Sequence, residues 1–357
     1  MRKFHKIRNE LGVSKLEAMD TNDIIDIALA ADGGYFCGLF VTACSIAKYA
    51  DKAASLRFNI LDGGISDEDW GLLTQKVTAY HSQSEFRRLP ITGETFKDCL
   101  LWHGNHMTYA RLLLPDLLPN SDYCIYCDVD FLWMRDISEL WAERQDDIAL
   151  ISTYDDTKWV HDIDGKWLVE NGFYFSNKDY ICAGLTFFNL KYFREHGLHK
   201  MCFDLLKLKP PFNDQTVLYI STQGHRKLVP AYWQRIHQYV VPVMIGEGAV
   251  VHYAGATPWK PIKNKFGLMS DLMLLWHRMN AEAREITLWQ SLRMYFGVGH
   301  ILWHRGLRNV LYVLNRMHCL GPFHWLLVKT GHRGVWEYWE RGMANMHMTV
   351  GAVRDGK

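Results

Sequence analysis

The sequence lacks any run of 18 apolar residues, so it predicts no helix that crosses a membrane. Residues 1–20 are charged throughout and lack the apolar segment of a secretory signal, which predicts a protein on the cytoplasmic side. Net charge is also nearly absent, at +1, and this argues against a general nucleic-acid-binding protein. The pattern therefore favours neither an integral membrane protein nor a secreted one.

A second C-x-x-C motif is missing as well, although Cys124 and Cys127 form one. Such a pair could serve redox chemistry or supply one half of a zinc site. The segment Tyr123–Cys127 instead predicts a buried strand, in which the two sulfurs point to opposite faces. We therefore expect the eight cysteines to be reduced, as is usual in the cytoplasm.

What the chain does contain is enough apolar material for a sizeable core, with 48% hydrophobic residues among 357. Three zones follow one another. Residues 1–22 predict a polar helical lead-in, residues 23–262 alternate apolar runs with helical patterns, and residues 263–357 are helical, aromatic and basic. The alternation in the middle zone is typical of an α/β catalytic domain.

The middle zone begins with a strand–helix–strand pattern. Residues 24–30 predict a first strand that Asp32-Gly33-Gly34 ends, residues 36–49 a helix, and residues 56–61 the next strand. This order predicts a parallel pair of strands with a crossover helix. Ligands of such sheets bind at the carboxyl ends of the strands, so residues 31–35 and the loop after Cys127 are the candidate site loops.

Two acidic residues follow the predicted strand that ends at Cys127. Asp128 and Asp130 are two apart in extended chain, so their carboxylates project to the same side. Like charges this close are costly unless a cation joins them, and carboxylate oxygens favour Mg²⁺ or Mn²⁺. The alternative is a solvated turn with two ordinary acids. His252, at the end of the apolar run 249–251, is a candidate third ligand that favours Mn²⁺.

A third candidate is Asn213-Asp214-Gln215, which follows two prolines and opens a predicted helix. One interpretation is that Asn213 or Asp214 simply caps the helix. The functional interpretation places Asp214 and Gln215 against the hydroxyls or the anomeric carbon of a sugar.

These features occur with others in an order that resembles glycosyltransferase family 8, and within it the bacterial lipooligosaccharide galactosyl- and glucosyltransferases. The matching motifs are Ala30-Ala31-Asp32-x-x-Tyr35, Thr108-Tyr109-Ala110-Arg111-Leu112, Tyr126-x-Asp128-Val129-Asp130, Ala183-Gly184 with Asn189-Leu190, Asp214-Gln215, and His252-Tyr253-x-Gly255-x-x-Pro258-Trp259. Each motif is weak alone, but their ordered combination is specific. The resemblance implies a GT-A fold with a mostly parallel Rossmann-like sheet flanked by helices, a UDP-hexose donor, Mn²⁺ (or Mg²⁺) and retention of anomeric configuration.

The resemblance also implies roles for individual residues. Asp128, Asp130 and His252 would be metal ligands, and Arg111 would steady the donor. Residues expected at the nucleotide and donor sugar are Ala30, Ala31, Asp32, Tyr35, Val129, Ala183, Gly184 and Gly255. Asp214 would hydrogen-bond the hydroxyls of the donor sugar, and Gln215 would lie nearest the reacting carbon. Asp155 (or Asp156) would also bind the sugar, and His103 would bind the acceptor.

Two positions depart from the family pattern. Cys182 stands where the family has an asparagine before Ala-Gly, and Thr257 stands where it has a lysine before Pro-Trp. The missing lysine would neutralise the diphosphate, and Lys260 or Lys263 could replace it. Both departures bear on the identity of the donor sugar and on activity.

The C-terminal zone has no Asp or Glu between residues 286 and 336. Apolar residues in the segment 301–318 recur at helical spacing, and its basic residues share the other side. This pattern predicts a helix lying on anionic lipid, with a lipid-linked acceptor and a location on the inner face of the plasma membrane. The alternative is a helix packed on the catalytic domain with a solvated basic face.

Two other functions compete with a glycosyltransferase. A haloacid-dehalogenase-like phosphohydrolase also places two Asp at this spacing after a strand, but its usual Thr or Val is Leu132 here. A non-catalytic family member that binds UDP or lipid would explain Cys182 and Thr257.

Overall fold

The protein contains one main sheet of seven strands and a small second sheet of three. The structure, a computed structural model, describes residues 24–97, 99, 106–236, 248–255, 257–260, 271–299 and 301–302. The predicted lead-in, His103, Lys263 and nearly all of the predicted basic helix lie outside the described residues.

The strands are numbered along the chain. They are β1 (Ile24–Ala31), β2 (Ser55–Asp62), β3 (Ser84–Pro90), β4 (Tyr123–Cys127), β5 (Phe131–Trp133), β6 (Leu150–Tyr154), β7 (Ile181–Asn189), β8 (Arg226–Val229), β9 (Arg235–Ile236) and β10 (Val250–His252). The main sheet has the order β3-β2-β1-β4-β7-β6-β8, and the small sheet has the order β5-β10-β9. The strand pairings of the main sheet are parallel except those of β7, which runs antiparallel to β4 and β6. The predicted mostly parallel sheet is confirmed.

Ten α-helices are described. They are α1 (Phe36–Tyr49), α2 (Asp67–Tyr80), α3 (Leu114–Leu117), α4 (Ser138–Trp141), α5 (Lys158–Glu170), α6 (Leu190–Glu195), α7 (Leu198–Leu206), α8 (Asn213–Ser221), α9 (Asp271–Arg284) and α10 (Leu288–Tyr295). Short 3₁₀ helices cover Gly33–Tyr35, Gly93–Phe96, Met107–Leu113 and Ala231–Trp233. Among the described residues, no helix is long and apolar enough to cross a membrane.

Alternation along the strands divides the core into two clusters, one on each face of the main sheet. Ile27 and Leu29 belong to one cluster, and Ala28 belongs to the other. The same alternation sends Cys127 to the first cluster and Cys124 to the second, as predicted from a strand. All seven cysteines of the described residues are free thiols.

Helix α9 packs on the α/β domain formed by the residues before it. The Trp276 side chain is fully buried in the cluster that α1 also lines. The Tyr253 hydroxyl donates to the carbonyl of Leu272 at 2.6 Å, and Lys48 pairs with Glu282 at 2.6 Å. The beginning of the predicted C-terminal extension therefore shares the core of the domain that precedes it.

Gly38 is where α1 approaches the loop that carries the acidic pair. A Cβ at this position would lie 2.6 Å from the carbonyl oxygen of Val129 and would also overlap the indole of Trp259. The Gly38→Ala variant is therefore expected to lose about 1–3 kcal/mol of unfolding free energy, because a backbone oxygen cannot move aside cheaply.

Gly71 provides the matched control for this experiment. It also lies inside a helix, α2, but a Cβ there meets nothing within 4 Å. Gly71→Ala should raise the unfolding free energy by roughly 0.5–1 kcal/mol through helix propensity. Thermal denaturation of both variants measures the two effects, and an unchanged Tm for Gly38→Ala would show that α1 and the loop are not in tight contact.

Candidate active site

The acidic pair lies at the carboxyl edge of the main sheet. Strands β1, β2 and β4 are parallel, so their ends meet at one edge. Asp128 follows β4 directly, and its backbone amide donates to the carbonyl of Gly184 on β7 at 2.8 Å. Thr42 of α1 donates to the carbonyl of Val129 at 2.9 Å, which fixes the loop between the two acids.

Strand pairing explains how a distant imidazole reaches this loop. Asp130 is followed by β5, which pairs antiparallel with β10 so that Phe131 lies opposite His252. The backbone amide of Tyr253 donates to the carbonyl of Asp130 at 2.8 Å. The side chains of Asp128, Asp130 and His252 each offer a ligand atom, and these atoms lie within 4.8 Å of one another.

This donor set fits one hard divalent cation. Two carboxylates and an imidazole suit Mn²⁺ in particular, because oxygen ligands favour hard cations and imidazole favours transition metals. Burial raises the pKa of the Asp128 carboxyl to about 6; Arg111 opposes this shift and Asp130 adds to it. Burial also disfavours a charged His252, but Asp130 and Asp128 outweigh it and raise the pKa of the imidazole. A bound cation would offset the negative charge that the carboxylates place on Asp128 and His252.

Four residues surround the imidazole of His252. Its ring stacks on Phe131 with centroids 4.3 Å apart, and Nε2 lies 3.4 Å from Asp130. A Cβ on Gly184 would come within 2.7 Å of the ring, so a glycine is needed there. On the far side, the Gln234 amide lies 3.0 Å from Nδ1. The ring is therefore fixed in position before any ligand binds.

Gln234 was not predicted from the sequence, because it belongs to no motif and lies between β8 and β9. Its buried amide accepts from the Thr153 hydroxyl at 2.9 Å and donates to the Cys182 sulfur at 2.8 Å. Cys182, one of the two departures from the family pattern, thus takes part in orienting the imidazole.

Removing this amide should weaken metal binding. We expect Gln234→Leu to raise the Kd for Mn²⁺ about tenfold or more, as for other residues that orient a metal-binding histidine. Gln234→Glu should also weaken binding, because a carboxylate cannot donate to Nδ1 as the amide nitrogen of Gln234 does. Electron paramagnetic resonance titration of free Mn²⁺ measures this Kd. Gln223→Leu, at an exposed glutamine, is the control, and equal affinities in all variants would contradict the role of Gln234.

Arg111 joins the acidic pair to α8. Its side chain is only 2% exposed and lies against Asp128, at 2.6 Å, and Asp214, at 3.1 Å. It also donates to the carbonyls of Thr108 and Ala183, and it stacks on the Tyr126 ring at 4.1 Å. Burial disfavours the charged guanidinium, but the two carboxylates outweigh it and raise its pKa. The structure thus shows Arg111 holding two carboxylates in place.

Asn213 begins α8, followed by Asp214 and Gln215, and none of the three caps the helix by a side-chain hydrogen bond. Phe212 is the N-cap residue, and Asn213 has a φ of 47°, a left-handed conformation uncommon outside glycine. The helix-cap interpretation is therefore wrong. The Asp214 carboxylate accepts from the Thr108 hydroxyl at 2.8 Å, in addition to its contact with Arg111.

Both ends of the Gln215 amide are engaged. Its oxygen accepts from the backbone amide of Ala183 at 2.9 Å, and its nitrogen donates to Asp155 at 3.1 Å. Asp155 is buried and Asp156 is exposed, so Asp155 is the acid that faces this cluster. The structure therefore brings Asp155, Ala183, Asp214 and Gln215 together beside the acidic pair.

The predicted nucleotide residues lie at the end of β1. The Asp32 carboxylate accepts from the backbone amide of Tyr35 at 3.1 Å and so caps the 3₁₀ turn. Lys260 donates to the Tyr35 hydroxyl at 2.6 Å and lies over its ring at 4.0 Å. Ala30 and Ala31 end β1, and Gly255 forms a turn with a φ of 73° after His252. Lys260 is thus placed beside the predicted uridine residue.

A sequence profile described as "Glycosyl transferase family 8" matches residues 26–263, more than half of the chain. The chain belongs to glycosyl transferase family 8. A Haemophilus influenzae protein whose name assigns it provisionally to the glycosyltransferases is 31% identical over 119 residues, or 33% of this chain and 35% of that protein. General stress protein A of Bacillus subtilis is 28% identical over 131 residues, or 34% of this chain and 43% of that protein. The chain thus matches less than half the length of these curated relatives.

Solved structures show the fold. The galactosyltransferase LgtC, in a structure with donor and acceptor sugar analogues, superposes with a TM-score of 0.59 and 24% identity, over 74% of this chain and 96% of that one. The bifunctional glycosyltransferase WbbM superposes with a TM-score of 0.61 and 18% identity, over 74% of this chain and 52% of that one. The predicted GT-A fold and family are confirmed, and the family leaves no support for a phosphohydrolase.

Proposed function

We propose that this family 8 protein is a retaining, Mn²⁺-dependent hexosyltransferase that moves galactose or glucose from a UDP-sugar to a glycan acceptor. The observation that carries the proposal is the convergence of Asp128, Asp130 and His252 at the carboxyl edge of the sheet, beside Asp214 and Gln215. The likeness to LgtC, whose structure holds donor and acceptor sugar analogues, supports it.

The cation, when bound between Asp128, Asp130 and His252, would supply positive charge to a departing diphosphate. Asp214, fixed by Thr108 and Arg111, would orient the hydroxyls of the donor sugar. Gln215 is a neutral amide with both ends hydrogen-bonded, so it is a poor nucleophile. We therefore expect front-face attack on an oxocarbenium-like sugar, with the departing phosphate accepting the proton of the acceptor hydroxyl.

Hydrolysis of the donor tests this function without knowledge of the acceptor. UDP-glucose, UDP-galactose and related UDP-sugars are incubated with the protein and Mn²⁺, and released UDP is measured. Slow release from one UDP-hexose, abolished by EDTA, is the expected result. UDP binding with no release from any donor, even with glycans present, would support a non-catalytic family member instead.

The acceptor is proposed to be lipid-linked, as in a lipooligosaccharide or lipopolysaccharide core, with the protein on the inner face of the plasma membrane. Support comes from α10 and the residues after it, where Trp289, Met294, Val298 and Leu302 are exposed beside Arg293. Exposed apolar side chains with a basic neighbour suit an anionic lipid surface.

Sedimentation with vesicles tests this membrane contact. The double variant Trp289→Glu with Met294→Glu should no longer pellet with vesicles that contain anionic lipid. Because both side chains are exposed, the fold should persist. Unchanged pelleting of the folded variant would count against membrane contact through this face.

A further inference from the structure

Trp159 is the most exposed tryptophan among the described residues, with 59% of its surface accessible. A tryptophan this exposed presents a large apolar face to water. Ile163, one turn later on α5, is 49% exposed and extends the same face. This surface has no part in the metal and donor contacts described above.

Its position ties it to the reacting centre. Trp159 lies in the first turn of α5, four residues after Asp155, and Phe212 is the N-cap residue of α8, three residues before Gln215. The two rings are 5.5 Å apart and inclined at 57°, so they form an angled aromatic surface. The hydrogen bond from Gln215 to Asp155 joins the same two chain segments at 3.1 Å.

The charges around Trp159 distinguish between possible occupants. Lys158 pairs with Asp162 at 2.7 Å, Lys166 pairs with Glu170, and Asp156 is exposed nearby. These charges give no positive excess, so the face is poorly suited to anionic lipid. A pyranose ring combines an apolar C–H face with a rim of hydroxyls, which matches an aromatic surface bordered by hydrogen-bonding groups.

We propose that Trp159 and Phe212 form the platform on which the ring of the acceptor saccharide stacks, with Trp159 as a specificity-determining residue. The inference rests on the proposed hexosyltransferase function. The acceptor ring lies against the two aromatic side chains, and its reacting hydroxyl points past Phe212 toward the sugar held by Asp214 and Gln215. Lys158 and Asp162 hydrogen-bond hydroxyls at the rim.

Ligand-observed NMR titration in the presence of Mn²⁺ and UDP tests the platform. The probes are methyl β-glucoside, methyl β-galactoside and methyl β-lactoside. At least one probe should bind the wild type, Trp159→Ala should raise its Kd about tenfold or more, and Trp159→Phe should have a smaller effect. Trp289→Ala, at an exposed tryptophan on α10, is the matched control and should leave this Kd unchanged.

Donor hydrolysis separates failure of this inference from failure of the proposed function. Mn²⁺-dependent hydrolysis of the UDP-hexose should be the same in wild type and Trp159→Ala, because the platform does not contact the donor. A wild type that hydrolyses the donor but binds no probe, or an unchanged Kd in Trp159→Ala, would overturn the platform. So would loss of vesicle binding by Trp159→Ala with unchanged probe binding. If the wild type hydrolyses no UDP-hexose, the proposed hexosyltransferase function, on which the platform depends, is overturned.

Discussion

Sugar transfer by Asp130→Asn is expected to fall at least about 100-fold, the scale seen when one group that stabilises developing charge is removed. The amide is a weaker ligand for a hard cation than the carboxylate, and it carries no charge. The measurement is the initial rate of UDP release from the UDP-hexose that serves as donor, at saturating Mn²⁺. Asp128→Asn should behave similarly.

Stability distinguishes this loss from unfolding. Asp130 lies close to both Asp128 and His252, so neutralising it relieves like-charge repulsion but weakens the contact with the imidazole, and the Tm should change little. Asp204→Asn, at an exposed acid paired with Lys207, is the control and should retain full activity. Wild-type activity in Asp130→Asn would rule out the proposed use of the acidic pair.

Arg111→Met is expected to destabilise the protein by about 3 kcal/mol, because it leaves carboxylates without their buried cationic partner. Asp214 and Asp128 both contact the guanidinium, and the side chain is 2% exposed, so water cannot readily replace it. Donor hydrolysis should fall as well, since the positions of both acids depend on this one side chain. Chemical denaturation measures the stability change.

Arg111→Lys is the informative companion. A lysine keeps the positive charge but lacks the forked guanidinium that contacts Asp128 and Asp214 at the same time. It should therefore recover part of the stability and less of the activity. If Arg111→Met were as stable as the wild type, Arg111 could not be the link between β4 and α8 that the structure shows.

Much of the fold could be predicted because local patterns and long-range contacts agree. The apolar run at residues 24–30 is a central strand, and the helix predicted over 36–49 has those bounds in the structure. Ser66 caps α2 through a side chain that accepts from the backbone amide of Asp69. These features depend on strand and helix periodicity and on capping chemistry, which a sequence displays directly.

The site could be predicted only where a motif marks it. Asp128 and Asp130 share a loop, and His252 reaches them through the register of β5 with β10. That register is a long-range property, so the sequence indicated His252 only through its place at the end of an apolar run and through the resemblance to a family. Gln234 and the stacking of Phe131 on His252 depend on the same register, but no motif marks them.

The departures from the family pattern have a structural context. Cys182 accepts a hydrogen bond from Gln234, which also contacts His252, so a change at one position affects the others. Lys260 lies on the ring of Tyr35, where its charge could reach a bound nucleotide without the lysine that Thr257 replaces. Cys182 and Lys260 therefore both take part in contacts of the candidate site.

Calorimetric titration of UDP into the wild-type protein, with Mn²⁺ and then with EDTA, tests the central claim most directly. If one cation held by Asp128, Asp130 and His252 also binds the diphosphate, Mn²⁺ should tighten UDP binding at least about tenfold. His252→Ala should lose most of that gain and keep the weak binding seen in EDTA. Equal affinity for UDP in Mn²⁺ and in EDTA would contradict the account.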